Sequence, residues 1–379
     1  MRFLISPQEF KGSLSAEEAA QAIARGLRRA WPEAELDVAA MADGGPGTVA
    51  AVLSAGGGQA QKTVVSDPLG RPVEAVWALL DDGPAAVIEM AAASGLVLLC
   101  PEELDPRRTT TYGTGELIGA ALDAGCRRLT VGVGGSATND GGGGMAQALG
   151  ARLLDEQERD LPPGGAALAR LHRIDPSGLD ARLADVRVQV ATDVTNPLCG
   201  DLGASRVYGP QKGATPEAVE ELEAALCRYA EIVRRDLGVD IADAPGAGAA
   251  GGLGGGLIAF LKAEVRPGGE LVAEAIGLRE RMKRADVVLT GEGRLDRQTG
   301  FGKTVATVAR MAKEEKRPVI ALVGGIEEDS AATEDIDAVL SIISRPMTLA
   351  EAMTEAAGLL EDAAARAAAL ARGGYFPRR

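Results

Sequence analysis

The stretch Arg2–Thr48, RFLISPQEFKGSLSAEEAAQAIARGLRRAWPEAELDVAAMADGGPGT, decides the fold class. Arg2–Ser6 is a compact apolar strand, followed by a loop over Pro7–Leu14. Ser15 with Glu18 three residues on forms an S-x-x-E capping box, which satisfies the first N–H groups of a helix that ends near Trp31–Pro32. Glu35–Ala40 reads as a second strand, Met41–Gly47 as a loop, and the next residues as a helix to about Ala55. Strand, helix, strand, helix in this order implies a parallel sheet faced by helices. Ligands of such a sheet bind at the carboxyl ends of its strands.

Further along, the pattern changes from Gln61. The strands Lys62–Ser66, Arg71–Leu80 and Ala85–Ala91 are joined by the turns Asp67–Gly70 (DPLG) and Asp81–Pro84 (DDGP), which makes a meander. Mixed segments follow: strands at Thr130–Val133 and Val186–Ala191, an amphipathic helix over about Pro216–Leu237, and a glycine-rich run at Pro245–Gly256. From Asp286 the parallel pattern resumes with the strand DVVLTG, a loop Glu292–Lys303 and a helix Thr304–Glu315. The strands PVIALVGG and AVLSII come next, and a last helix runs from the capping box Thr348/Glu351 to about Arg372. The expected fold is α/β, with one parallel-sheet domain built from both chain ends (residues 1–60 and 284–379) and a mixed α/β domain (residues 61–283) inserted into it.

Composition bounds the function. The chain has 379 residues, 46% hydrophobic and 25% charged, as expected for a globular protein with a substantial core. Aromatic residues are only 3%, so that core must be aliphatic and alanine-rich. A net charge of −14 argues against nucleic acid as a partner, although local clusters of Lys and Arg can still take small anions. The four cysteines (Cys100, Cys126, Cys199, Cys227) form no CxxC, and His172 is the single histidine. A zinc motif and a Ser–His–Asp triad therefore have little to work with, and the thiols are expected to be free and mostly buried. The opening MRFLISPQEFKG lacks an apolar core long enough for a signal peptide, and no apolar run reaches the roughly 18 residues of a membrane helix. The expectation is a soluble cytoplasmic protein with no membrane partner.

Five loops at strand ends collect polar groups. PQEFKGS offers Lys11 and Ser13 just before a helix N-terminus, a position that favours anions. ADGGPGT places Asp43 at a strand end, then Gly44, Gly45 and Thr48. TVGVGGSATNDGGGGM, Thr130–Met145, fixes Ser136, Thr138, Asn139 and Asp140 among glycines, with Gly134, Gly135 and Gly141 as donors of backbone N–H groups. Such a set suits phosphate oxygens and a metal ion. ATDVTNPL carries Asp193 and Asn196, an acid and an amide fit for Mg²⁺ or a hydroxyl. TGEGRLDRQTGFGK combines Glu292, Arg294, Asp296 and Lys303, and its GFGKT only half-matches a Walker A loop because Gln298 stands where the first glycine belongs. The run Pro245–Leu257 reads equally as a phosphate cradle or as close helix packing. Each loop taken alone also reads as an ordinary turn. Together they supply the carboxylates, cations and acceptor positioning that phosphoryl transfer needs.

Seven blocks in series, FKGSLSA, ADGG-x-GT, GGSATNDGG, DVTNPLCG, YGPQKGAT, PGAGAAGGLG and GEGRLD-x-QT, resemble the signature of the bacterial glycerate kinase family, type 1. The resemblance runs from end to end. It implies a flavodoxin-like domain made from both termini with a second α/β domain inserted, and a site in the cleft between them. It also implies transfer of the γ-phosphoryl of ATP to a hydroxyl of glycerate with Mg²⁺, by a monomer or homodimer. Asp43 and Asp193 are then the candidates for holding the metal or orienting the hydroxyl, and Lys11 and Arg294 for neutralising the glycerate carboxylate and the transferring group. Ser13, Gly44, Gly45, Thr48, Gly134, Gly135, Ser136, Asn139, Asp140, Asn196, Glu292, Asp296 and Lys303 are the expected binders of phosphate and substrate. Two positions depart from the family pattern. PQEFKG stands where PDSFKG is usual, moving the acid to Glu9, and Pro46 replaces an acid in ADGGPGT. A kinase for another small hydroxy acid or sugar acid, and a ligand sensor without turnover, are the alternative readings.

Overall fold

A computed structural model describes the chain except Asp82, residues 296–302, 327–334 and 375–379, and the side chain of Lys303. It separates into two compact units, one of Met1–Asp43, Ala50–Gly57 and Gly269–Arg379, the other of Gly44–Val49 and Gly58–Gly268.

The first unit is built on a fully parallel sheet of five strands, in the spatial order Ala338–Ser341, Val319–Ile326, Val287–Leu295, Arg2–Ile5, Glu35–Val38. Numbered within the unit this is the 2-1-3-4-5 order of the flavodoxin-like fold. Its switch point lies where Arg2–Ile5 meets Val287–Leu295, with Phe3 opposite Val287 and Ile5 opposite Leu289. The Ser15–Glu18 capping box is present at the head of the helix Ala16–Ala30. That helix lies against Ala356–Arg372 through Ala20, Ile23, Ala24 and Leu27 facing Leu360, Ala363, Ala364 and Ala367, the alanine-rich layer that the shortage of aromatic residues requires. A Cβ on Gly26 would stand 2.1 Å from the carbonyl oxygen of Glu361, so a side chain there would push the two helices apart.

Two sequence expectations are corrected in this unit. The loop expected from Glu292 is strand as far as Leu295, because Glu292 pairs with Val323, Arg294 with Gly325 and Leu295 with Ile326 on the neighbouring strand. The final helix is two helices: Thr348 and Glu351 cap Leu349–Thr354, and Glu355 separates it from Ala356–Arg372.

The second unit has a mixed six-stranded sheet. Glu264–Arg266, Arg187–Ala191, Arg128–Gly132 and Ala85–Glu89 run parallel, and Pro72–Leu80 and Gly58–Ser66 add antiparallel strands as the meander. Its core gathers Trp77, Met90, Leu117, Val131, Leu226 and Leu253, with the helix Pro216–Leu237 supplying one wall. The glycine-rich run serves packing: Cβ atoms on Gly251 and Gly256 would stand 2.0 Å from the Thr138 carbonyl oxygen and 2.6 Å from that of Gly141. His172 is exposed, and its carbonyl accepts from Arg235. All four thiols are free, but only Cys126 is buried. No helix among the described residues is long and apolar enough to cross a membrane.

Candidate active site

In the first unit, the carboxyl ends of the strands on both sides of the switch point open into a cavity of about 700 Å³. Arg2–Ile5 leads into the loop with Gln8, Glu9, Lys11 and Ser13, Glu35–Val38 leads to Asp43, and Val287–Leu295 carries Glu292 and Arg294. All of these residues line the cavity. Backbone bonds hold the loops at the sheet edge: Ser6 N–H donates to Leu289 (2.7 Å), Gln8 N–H to Gly291 (2.9 Å) and Met41 N–H to Pro7 (2.8 Å). The opposite wall is apolar, formed by Ile342, Ile343, Met347, Leu349 and Met353, with Leu349 76% exposed.

The polar wall is electrostatically crowded. Gln8 Nε2 donates to Asp43 Oδ2 at 3.2 Å, so the residue that departs from the family pattern touches the candidate acid directly. Burial raises the Glu9 carboxyl above its ordinary range, the Asp43 charge raises it further, and Lys11 opposes both. Glu292 is buried, while Lys11 and Arg294 lie at the exposed rim. Ser13 turns inward, its hydroxyl donating to the Phe10 carbonyl at 2.8 Å. The expected anion position at the following helix N-terminus is taken by the protein itself. Ser15 Oγ accepts from Glu18 N–H (3.2 Å), and Glu18 Oε2 accepts from Ser15 N–H (2.8 Å). Asp296 lies outside the described residues. Lys303 opens the helix Lys303–Glu314.

The remaining candidates belong to the second unit, where the structure revises the reading of the glycines. Gly134 N–H donates to the Gly44 carbonyl at 3.1 Å, and Gly141 N–H to that of Gly251 at 3.0 Å. A Cβ on Gly44 would sit 2.2 Å from the Ala191 carbonyl oxygen, one on Gly134 2.5 Å from the Gly45 Cα, and one on Gly135 2.8 Å from the Pro46 ring. These glycines let three chain segments touch backbone to backbone. Thr48 is buried, and its hydroxyl donates to the Gly45 carbonyl at 2.8 Å.

The polar residues of Thr130–Met145 are likewise turned into the protein. Asp140 is 2% exposed, and Oδ2 accepts from Thr111 N–H (2.8 Å), Thr111 Oγ1 (3.0 Å) and Gly144 N–H (3.2 Å), while Oδ1 accepts from Gly142 N–H (3.2 Å). Burial raises its pKa and these donors oppose the rise. Asn139 donates to Ser205 Oγ at 2.9 Å, and Ser136 is buried beside Gly95. Asn196 is committed at both ends, accepting from Tyr208 OH and donating to the Leu202 carbonyl, each at 2.9 Å. Half-buried Asp193 accepts from Gly268 N–H at 3.1 Å.

Sequence reasoning missed Gln8 as a partner of Asp43, the apolar wall, the half-buried Glu89 and the buried Lys212. Glu89 accepts Val49 N–H at 2.5 Å, and burial raises its pKa. Lys212, from the YGPQKGAT block, is 1% exposed and donates to the Thr138 carbonyl at 2.7 Å; burial pulls its pKa down to about 7 while Asp140 opposes. The block itself was the one signal pointing to Lys212, since no local pattern distinguishes a buried lysine from a solvated one.

The model of the glycerate kinase family matches residues 3–372. The glycerate kinase of Bacillus subtilis (strain 168) is 49% identical over 366 residues, covering 96% of each chain. The glycerate 2-kinase of Escherichia coli (strain K12) is 49% identical, covering 93% of each. A crystal structure assigned as glycerate kinase 2 from Salmonella typhimurium LT2 superposes with a TM-score of 0.88 at 48% identity, covering 99% of both chains. A strand order, a strand-end cavity and sequence likeness that agree over nearly the whole chain lead to one conclusion: the chain belongs to the glycerate kinase family.

Proposed function

We propose that this protein transfers the γ-phosphoryl group of ATP to glycerate, with Mg²⁺, and that the acceptor is the 2-hydroxyl. In the reaction the bond from the γ-phosphorus to the bridging oxygen of ADP breaks, a bond to the glycerate oxygen forms, and the hydroxyl proton leaves. The observation that carries the reading is the strand-end cavity, in which two cations, Lys11 and Arg294, meet three carboxylates, Glu9, Asp43 and Glu292. Lys11 and Arg294 neutralise the substrate carboxylate and the charge that spreads over the transferring group. Asp43, oriented by Gln8, holds the acceptor hydroxyl or the metal, and Asp193 is the second candidate for that role. These charged donors are oxygens, the hard set that Mg²⁺ accepts while keeping several of its waters. The ion, when bound, screens the negative charge of the phosphate oxygens. The apolar wall offers a dry face for the planar base of the nucleotide.

Family membership supports the kinase reading, and the name of the Escherichia coli relative supports the 2-position. The test is incubation with ATP, Mg²⁺ and D-glycerate, with ADP release followed by a coupled assay and the product identified by ³¹P NMR. One ADP per 2-phosphoglycerate is expected. Formation of 3-phosphoglycerate would overturn the regiochemistry, faster turnover of a sugar acid the substrate, and glycerate binding without ADP release the activity itself.

A further inference from the structure

Three side chains that this chemistry does not use come together in the second unit. Cys199 lies in the loop after the Arg187–Ala191 strand, and Glu223 and Cys227 stand four residues apart, on one face of the helix Pro216–Leu237. Their two sulfurs and a carboxylate oxygen all lie within 4.8 Å of one another. Cys227 Sγ is 3.6 Å from Glu223 Oε1, and that oxygen also accepts Gly200 N–H at 2.5 Å. The second oxygen, Oε2, is buried and has no hydrogen-bond partner, in a residue only 6% exposed. A buried carboxylate oxygen left unmatched is costly, and a cation would satisfy it. In a tetrahedral zinc centre, with metal–sulfur bonds of about 2.3 Å and metal–oxygen bonds of about 2.0 Å, neighbouring S and O ligands stand about 3.5 Å apart. The spacing between Cys227 and Glu223 is already of that size. Both thiols are half-exposed, which leaves an ion a path inward. The carboxylates of Asp243 and Glu231 stand near enough to act on the two thiols, a negative surrounding that attracts a cation.

We propose that Cys199, Glu223 and Cys227 bind a thiophilic divalent cation of the zinc class, with a water in the fourth position. Binding breaks two S–H bonds, sends two protons to solvent and forms two metal–sulfur bonds and one metal–oxygen bond, with no change of oxidation state. The ion ties the loop that carries Asp193 and Asn196 to the long helix. Reduced full-length protein titrated with Co²⁺, without nucleotide, should take up one ion with a sulfur-to-cobalt charge-transfer band. Two protons should be released, and Zn²⁺ should displace the signal. Cys199→Ser and Cys227→Ser should each weaken binding by at least about 10–100-fold, the loss that follows even when only a supporting partner of a ligand is removed. Cys100→Ser, at an exposed position, serves as the control and should change nothing. Cobalt uptake without a thiolate band, unchanged affinity in Cys199→Ser, or a Cys199–Cys227 disulfide in place of metal uptake would each overturn the proposal. The wild-type spectrum decides the matter even where a variant fails to fold.

Discussion

Replacing Asp140 by Asn separates two roles for the acid at the heart of the glycine loop. If it organises the loop, as its contacts indicate, the loss is in stability; if it binds metal or phosphate, the loss is in turnover. Oδ2 takes four donors, the Thr110 hydroxyl at 3.3 Å among them, and Oδ1 takes Gly142 N–H at 3.2 Å. An Asn side chain can keep its oxygen where Oδ2 stands, but its NH₂ then faces the Gly142 N–H, donor against donor. One charge-assisted bond disappears, about 1.5–3 kcal/mol, and a buried N–H is left unmatched, about 1–3 kcal/mol. The charge that opposes the desolvation of Lys212 is lost as well. The expected cost is about 3–5 kcal/mol, within the sum of those two losses. The chain has two tryptophans, Trp31 in the first unit and Trp77, 3% exposed, in the second. In a Trp31→Phe background, Trp77 fluorescence therefore follows urea unfolding of the second unit alone. With a slope of about 2–3 kcal/mol/M, the midpoint should fall by about 1–2 M. Below that midpoint kcat and the Mg²⁺ dependence should hold within a few-fold. A midpoint unchanged within about 0.3 M, together with a hundredfold loss of kcat, would refute the organising role.

Three further outcomes test the site. Lys11→Ala and Arg294→Ala should each lower kcat/KM for glycerate by about 10²–10³ with unchanged thermal stability, since both lie at the exposed rim; near-full activity would remove them from the mechanism. Gln8→Glu, isosteric, replaces the amide 3.2 Å from Asp43 by a second carboxylate, which repels the first instead of donating to it. The repulsion should displace the Asp43 carboxylate and lower kcat/KM for glycerate, and near-full activity would show that the Gln8 amide does not orient Asp43 for the reaction. For Lys212, the folded pKa of about 7 lies below its ordinary 10.5, so between those values the unfolded chain holds a proton that the folded chain lacks. Stability from this group rises with pH across that window, by about 1.4 kcal/mol per unit. The difference between the wild type and Lys212→Met in urea unfolding should grow in favour of the wild type from pH 7 to 10, and a flat difference would mean that the lysine is charged in the folded protein.

Much of the framework was legible because it is written locally. The Ser15–Glu18 box, the 22-residue helix Pro216–Leu237 and the meander turns each follow from residues within a few positions of one another. The strand at Glu292–Leu295 was not legible, because its glycines and charges read as loop and only pairing with Val323, Gly325 and Ile326 extends it. Acids and cations were sought at strand ends, and Lys11, Asp43, Glu292 and Arg294 line one cavity. The glycines of the opening motif were read as phosphate cradles, but Gly134 N–H already serves the Gly44 carbonyl.

By itself the sequence determined a parallel α/β framework, the family and the set of strand-end loops, since period, capping and motif order are one-dimensional properties. Tertiary structure alone decided which of those polar groups face a cavity and which face inward. Asp140 is held by Thr111 and Asn139 by Ser205, partners 29 and 66 residues away, and Lys212 is buried against the Thr138 carbonyl with its pKa pulled down. Burial and hydrogen-bond partners come from segments far apart in sequence, so no local pattern encodes them.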